Sequence, residues 1–388
     1  MADPIVRFLD SKRDAYIADL RLLVGQDSGS HDKAGVDAVM DWLEVRLMAT
    51  GFDCARNRQA RFGDDLIARR HGRGRSKILL LGHADTVYPT GTAAQRPLTI
   101  AAGKILGPGT CDMKAGLLTG IFAVAALDEI GWDDYGTITF LIVSDEEIGE
   151  RHSVPLLMEE GPKHDVILTL EAARDNGDVV TARKAVRWFT VDARGKAAHA
   201  GVEPEKGRSA TLAIAHFITQ AFRLNLLRDG MTVNPGEIAG GGDPNTVAAS
   251  AKARFDLRAW SNADLDELEA RFRQIADNPA VPGVALTVTM EPGSDCPAME
   301  RTLGGMRLVE QAIAIAAELG FPLKGAATGG GSDISFAGHR GTPGLDGLGP
   351  VGGLDHGPDE YILIESIVPR TALLAKLMMA MGDQTNGE

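Results

Sequence analysis

The chain has 388 residues, 44% hydrophobic and 24% charged, which suits one large globular domain and a smaller companion. Lys and Arg number 40 against 53 Asp and Glu, and the net charge of −13 argues against a broad nucleic-acid or anionic-membrane surface, so an anionic substrate needs a local basic patch. The opening "MADPIVRFLD" has no basic segment leading into a long apolar run, other apolar runs read as too short to cross a bilayer, and the dispersed Cys54, Cys111 and Cys296 suggest neither disulfides nor a cysteine zinc site, so a cytoplasmic protein without nucleic-acid or membrane partners is expected.

Two helical segments open the chain, Pro4 to Leu23 and Lys33 to Thr50. "KILLLG", Lys77 to Gly82, then reads as a buried strand, and "GTITFLIVSD" and "DVILTLEA" repeat its apolar form. Between them "DMKAGLLTGIFAVAALDEI" has helix composition, with Asp112 in the N-cap position. This alternation predicts an α/β domain with a mostly parallel sheet flanked by helices. From about Asp178 the pattern changes. "AVRWFTVDARG" alternates like a half-exposed strand, "RSATLAIAHFITQAFRLNLL" is helical, and "TVNPGEIAGG" and "TVAASAKARFDLRAW" are strands; "NADLDELEARFRQIADN" is a capped helix and "VALTVTME" a last strand. The order β-α-β-β-α-β is that of a ferredoxin-like α+β unit, expected as an inserted domain over 178–292, which splits the larger domain into 1–177 and 293–388.

Ligand sites in open α/β sheets form outside the carboxyl ends of the strands. His83 and Asp85 follow the first strand, Glu146 and Glu147 the second, and Glu171 the third, while Asp112 and His356 lie in loops that can reach the same rim. Two histidines among several carboxylates suit zinc, and a short aspartate can bridge a pair of ions. In His83-Ala84-Asp85, residues two apart on an extended segment face one side, so Asp85 can hold the imidazole. Each feature alone has an ordinary explanation: His-x-Asp as a surface pair, adjacent glutamates as a solvated turn (still the reading for Asp145), Glu171 as a helix cap, His356 as a loop residue. Their coincidence at successive strand ends is what favours a metal site. "TGGGSD", Thr328 to Asp333, lacks the lysine of a phosphate loop and reads as a tight turn. His199 in "GKAAHAG" is either a loop histidine or a residue brought over the site by domain or subunit packing.

The blocks "GHADTVYPTGT", "GPGTCDMKAGLLTG", "YGTITFLIVSDEEIGE", "LTLEAA", "GKAAHAGVEPEKG" and "GGGSDISFAG" followed by "DHG" resemble the dizinc exopeptidases of the aminoacylase, acetylornithine deacetylase and succinyl-diaminopimelate desuccinylase superfamily, peptidase family M20, nearest its carboxypeptidase G type. The resemblance implies the same two-domain plan: a zinc-exopeptidase domain with an inserted dimerisation or lid domain. It implies two zinc ions, with cobalt or manganese as substitutes. His83 and Glu171 would hold one ion, Glu147 and His356 the other, and Asp112 would bridge them. Glu146 matches the family's general base, acting on a water shared by the ions, and Asp85 matches the partner of the histidine. His199 matches a histidine that reaches across a homodimer interface to polarise the scissile carbonyl.

The implied activity is hydrolysis of an amide or peptide bond next to a free carboxylate, on a small or dipeptide-like substrate. Asn245 and Arg258 match positions used around that carboxylate. One departure bears on the substrate: glutamate-releasing relatives carry an arginine before a late Pro-Ala pair, where this chain has Cys296 in "SDCPAME". Arg183 and Arg301 are candidates to compensate, although both read as surface ion-pair residues. A specialised amidohydrolase acting on a non-peptide amide or amine, and a non-catalytic metal- or peptide-binding protein, therefore stand as alternatives.

Overall fold

The computed structural model describes residues 3–149 and 152–384, so Glu150, which ends one of the quoted blocks, lies outside the described residues. Two compact units divide the chain: Met1–Thr181 with Arg301–Thr328 and Ser332–Glu388, and Ala182–Glu300 with Gly329–Gly331.

The first unit is built on a six-stranded sheet in the order Asp53–Asn57, Asp65–His71, Thr137–Val143, Lys77–His83, Val166–Thr169, Gly344–Leu345. The first two pairings are antiparallel and the other three parallel. Continuous apolar runs mark strands covered on both faces, and Ile78 to Leu81 and Ile138 to Val143 are indeed buried. The helix Ala115–Glu129 lies against this sheet closely enough that glycine is required. A Cβ at Gly116 would sit 1.9 Å from the Leu170 carbonyl oxygen, and one at Gly120 2.8 Å from the Phe140 ring. Helices Pro4–Val24, Leu303–Leu319 and Ile364–Gln384 complete the packing, and the first is capped by Asp3, whose side chain accepts the Ile5 and Val6 amides.

Two expectations need correcting here. The span Thr110–Glu129 does reach membrane-crossing length and apolarity, but 89% of its most apolar window is buried in the fold, which makes it a core helix. Asp112 does not cap that helix. Its φ/ψ of −118/96 places it inside an irregular turn, Thr110–Lys114, and the regular helix begins at Ala115. The antiparallel edge hairpin "DCARN"/"DLIARRH" and a small sheet of Thr99–Ala101, Lys104–Leu106, Tyr361–Leu363 and Gly352–Gly353 carry no comparable apolar signal and went unread in the sequence.

The second unit has four antiparallel strands in the order Thr232–Gly240, Ser250–Ala259, Ala185–Arg194, Ala285–Met290, with helices Ala210–Phe222 and Asn262–Asp277. This is the ferredoxin-like order. The inward residues of the alternating strands meet the helices in an aromatic cluster, where Phe272 lies 5.0 Å from Phe217 and 4.9 Å from Phe255, edge to face. Ser209 and Ser261 cap the two helices. The unit begins a few residues after the change in sequence character, because Val179–Arg183 first pairs with Gly325–Thr328, and it runs on to Glu300.

Candidate metal centre

Four side chains of the first unit gather around Asp112. Its Oδ1 lies 3.0 Å from His83 Nε2, and its Oδ2 lies 3.2 Å from His356 Nε2. Glu171 Oε1 is 3.8 Å from His83 Nε2, and Glu147 Oε2 is 3.1 Å from His356 Nε2. The result is two trios sharing one carboxylate, His83/Asp112/Glu171 and His356/Asp112/Glu147. Ligands of one tetrahedral zinc at about 2.0–2.1 Å stand roughly 3.3 Å apart, so these separations and this imidazole-carboxylate set fit a pair of cations. His83, Asp112 and Glu147 alone already present donor atoms within 4.8 Å of one another.

The electrostatics show how poorly the carboxylates tolerate one another there. Burial pushes Glu147 up to about 7, against the hydrogen bond from His356. Burial also pushes Glu146 well above the usual carboxylate range; His83 opposes this, and the charges of Glu171, Glu147 and Asp333 add to it. The imidazoles compensate. Burial disfavours a charged His83, but hydrogen bonds to Asp112 and Asp85 outweigh it and hold its pKa well above the ordinary value. Hydrogen bonds to Asp112 and Glu147 push His356 up to about 11. Asp112 is drawn below the usual range because the two imidazole contacts overcome its burial.

Behind the rim, fully buried Asp85 does more than face its histidine. His83 Nδ1 lies 3.3 Å from Asp85 Oδ1 and 3.1 Å from its carbonyl oxygen. The same carboxylate accepts the amides of Glu146 and Glu147 at 3.3 and 3.2 Å and the Ser30 hydroxyl at 2.6 Å. It therefore orients one imidazole and the neighbouring glutamate turn together.

A profile described as peptidase family M20/M25/M40 matches residues 79–380. The chain belongs to that family. It is 31% identical over 376 residues to carboxypeptidase G2 of Pseudomonas sp. (strain RS-16), covering 96% of this chain and 90% of that protein. It is 27% identical over 379 residues to succinyl-diaminopimelate desuccinylase of Stenotrophomonas maltophilia (strain R551-3), covering 92% and 96%. Among solved structures, aminopeptidase PepT of Bacillus cereus ATCC 10987 superposes with a TM-score of 0.82 at 24% identity, over 95% of this chain and 98% of that one, a likeness of fold. As an M20 peptidase the chain is a metal-dependent hydrolase of C–N bonds.

Asp145 overturns the solvated-turn reading, since it is fully buried. His152 Nδ1 lies 2.7 Å from its Oδ2, the His152 amide donates to the same oxygen at 2.8 Å, and Ser153 Oγ donates to Oδ1 at 2.5 Å. The other edge of the ring faces Asp65 Oδ1 at 3.4 Å and Ser144 Oγ at 3.1 Å, and Phe62 stacks on its face at 5.3 Å. Asp65, Asp145 and His152 could also be read as a metal trio. Serine donors and the direct imidazole contact already occupy those oxygens, which makes the group an internal ion-pair network beneath the Glu146–Glu147 turn.

Of the other expected residues, His199, Asn245, Arg258, Cys296 and Arg183 lie in the second unit of this M20 chain and Arg301 in the first. His199 and Thr246 form an antiparallel bridge, and the Ala200 amide donates to the Asn245 carbonyl at 2.8 Å, so exposed His199 and Asn245 are neighbours. The Arg258 guanidinium spans both Asp256 oxygens at 2.8 Å and donates to the Gly329 carbonyl at 2.6 Å. Cys296 bridges Val186, the cross-strand partner of Arg258, and a Cβ at Gly331 would lie 3.1 Å from its sulfur. Arg183 is buried rather than superficial and donates to the Gly331 carbonyl at 2.8 Å, whereas exposed Arg301 donates to Thr181 Oγ1. "TGGGSD" is a bend leading into irregular backbone, and its Gly329 and Gly331 carbonyls receive arginines. Ser30 and Glu360 carry no local motif because their partners are remote in the chain, and His152 pairs with nearby Asp145 as well as remote Asp65 without any motif to mark it.

Proposed function

We propose that the chain is a two-zinc hydrolase that cleaves an amide or peptide bond beside a free carboxylate, of glutamate carboxypeptidase or N-acyl-amino-acid deacylase type. The observation that carries this reading is Asp112, with one oxygen toward His83 and the other toward His356, flanked by Glu171 and Glu147. His83, Glu171, Glu147 and His356 would hold the ions and Asp112 would be shared between them. Zinc bound there supplies Lewis acidity, polarising the scissile carbonyl and lowering the pKa of water. Glu146, adjacent to the ligands but outside both trios, takes the proton of the attacking water at its carboxylate and delivers it to the leaving amine. Its raised proton affinity suits a group that must hold a proton between those steps. His199 donates to the oxyanion that develops on attack.

The same reading makes the enzyme a cytoplasmic homodimer that pairs through its inserted unit and lends His199 to the partner's site. The outer strand Thr232–Gly240 and the helix Ala210–Phe222 support it by exposing Ile238 and Leu212. Cys54, Cys111 and Cys296 remain thiols, in keeping with a reducing compartment. The relatives named as a carboxypeptidase and a desuccinylase support the substrate class. A second reading, a non-peptide amide or amine substrate, is favoured by Arg258, whose guanidinium is already engaged by Asp256 and Gly329, and by Cys296 in place of an arginine.

The deciding experiment combines Glu146→Gln with a panel of N-acylglutamates, N-acetyl amino acids, dipeptides and carboxylate-free amides. The variant should lose roughly 10²–10⁴-fold in kcat while keeping its zinc, as expected for a general base. Loss of zinc from the variant would refute the base assignment. Inactivity of the wild type on all carboxylate substrates would refute the first reading, and activity confined to the carboxylate-free amides would establish the second.

A further inference from the structure

The irregular turn that carries Asp112 cannot satisfy its own amides. Asp112 and Met113 leave helical geometry, and the amides of Gly109, Cys111 and Asp112 turn to a side chain instead of to carbonyls of their own turn. One side chain gathers them. Glu360, only 1% exposed, accepts Cys111 N–H at 2.7 Å and Asp112 N–H at 3.0 Å on Oε1, and Gly109 N–H at 2.8 Å on Oε2. Its own carbonyl accepts Gly107 N–H at 3.3 Å. The placement follows from the small sheet: Tyr361–Leu363 pairs antiparallel with Lys104–Leu106, Tyr361 opposite Leu106, which sets residue 360 beside the turn that follows Leu106.

The same carboxylate also reaches the loop of the other metal-facing residue. Tyr88 Oη lies 2.7 Å from Glu360 Oε2 and 2.9 Å from the Gly357 carbonyl, next to His356. His356 itself has a left-handed backbone, φ 61°, and a side chain 53% exposed, so neither local conformation nor packing around its ring fixes it. The Glu360–Tyr88–Gly357 bridge supplies that restraint.

We propose that Glu360 is a positioning residue for the metal pair, an acceptor that ties the Asp112 turn and the His356 loop to one point and so sets the spacing of the two ligands. This rests on the two-metal reading of the site. Only a carboxylate suits the place. A glutamine can keep an acceptor toward Cys111 and Asp112 and turn its NH₂ toward Tyr88, but the NH₂ then opposes the Gly109 N–H, and a buried donor is left without an acceptor. The restraint acts on the backbone of Asp112 and leaves its two oxygens to the imidazoles.

The test uses the full-length protein with Glu360→Gln, Tyr88→Phe and a control core truncation, Leu374→Ala, on the buried face of the last helix. Zinc affinity is measured by competition with a chromophoric chelator, and amide hydrogen exchange is followed at Gly109, Cys111 and Asp112. Glu360→Gln should weaken zinc binding by about tenfold or more and speed exchange at those amides, as expected for an outer-sphere partner of metal ligands. Tyr88→Phe, which keeps the carboxylate and its three backbone amides but removes the hydroxyl between Glu360 and Gly357, should weaken one ion of the two. Leu374→Ala should lower stability without changing zinc affinity. Wild-type affinity in Glu360→Gln, or an equal loss in the Leu374→Ala control, would overturn the proposal. Should Glu360→Gln fail to fold, unchanged affinity for both ions in Tyr88→Phe would overturn it. If the wild type binds no zinc, the metal reading falls on its own, and unaltered exchange at the three amides in Glu360→Gln would then overturn the positioning role as well.

Discussion

The buried pair beneath the glutamate turn yields the sharpest prediction, because its pH dependence has a definite sign. Burial disfavours a charged His152, but hydrogen bonds to Asp145 and Asp65 outweigh it and push the imidazole up to about 9. A folded-state pKa above the unfolded value of about 6.5 means that the charged pair stabilises the protein fully below pH 6.5 and loses that contribution as pH rises through about 9. At about 1.4 kcal/mol per pKa unit the full shift corresponds to roughly 3 kcal/mol, but the ring lies near the surface and solvent screens it, so about 1–2 kcal/mol is the expected contribution. His152→Phe keeps a ring to stack on Phe62 while removing the cation between two buried aspartates. In urea titrations with chelator present, the wild type should exceed the variant in unfolding free energy by about 3–4 kcal/mol at pH 6, the lower part of the usual cost of orphaning a buried charge. That margin should shrink by about 1–2 kcal/mol between pH 6.5 and 10. A flat or widening margin would refute the assignment of His152 as the cation of the network.

Three further outcomes follow from the rim. Asp112→Ala removes the carboxylate facing both imidazoles, so elemental analysis should find both ions lost together; retention of either would show two independent sites. A mixture of Glu146→Gln and His199→Ala chains, each inactive alone, should recover about a quarter of wild-type activity after subunit exchange if the histidine acts across a two-fold dimer, and none if it acts within its own chain. Zinc at a free concentration a hundredfold above its Kd should stabilise the folded protein by about 2.7 kcal/mol over the chelated form, read as a rise in melting temperature; no rise would argue against a folded-state site.

The parts of the site that the sequence revealed are those set by topology. Once "KILLLGH", "TITFLIV" and "VILT" read as parallel strands, His83, Glu147 and Glu171 had to emerge at one edge, and the structure brings them there. Chain order puts Asp112 near that rim, but helix composition says nothing about the irregular turn that precedes Ala115 and carries it. The burial of Asp145 depends on Asp65 and Phe62, which belong to a hairpin and loop too polar to register as sheet, so the sequence alone shows only an acidic turn. Arg183 looked superficial by residue type, yet its partners are glycine carbonyls almost 150 positions away, a kind of contact that leaves no trace in composition.

Why the rim survives so many carboxylates becomes clearer from what lies behind each of them. Asp85 accepts the amides of Glu146 and Glu147, and Glu360 accepts those of Cys111 and Asp112. The third strand end has a cation instead: buried Arg370 donates to the carbonyls of Gly347, Gly349 and Gly177, and the Gly349 amide donates to the Glu171 carbonyl at 2.8 Å. Each anchor grips main chain rather than the ligand oxygens, so the side chains stay available while their origins are fixed. Ligands held this way should not depend on the ions for their positions. Repulsion among Glu146, Glu147 and Glu171 then becomes strain that a dication relieves on binding, instead of energy dissipated in a collapsing loop. That is the arrangement expected of a site whose affinity comes from preorganisation.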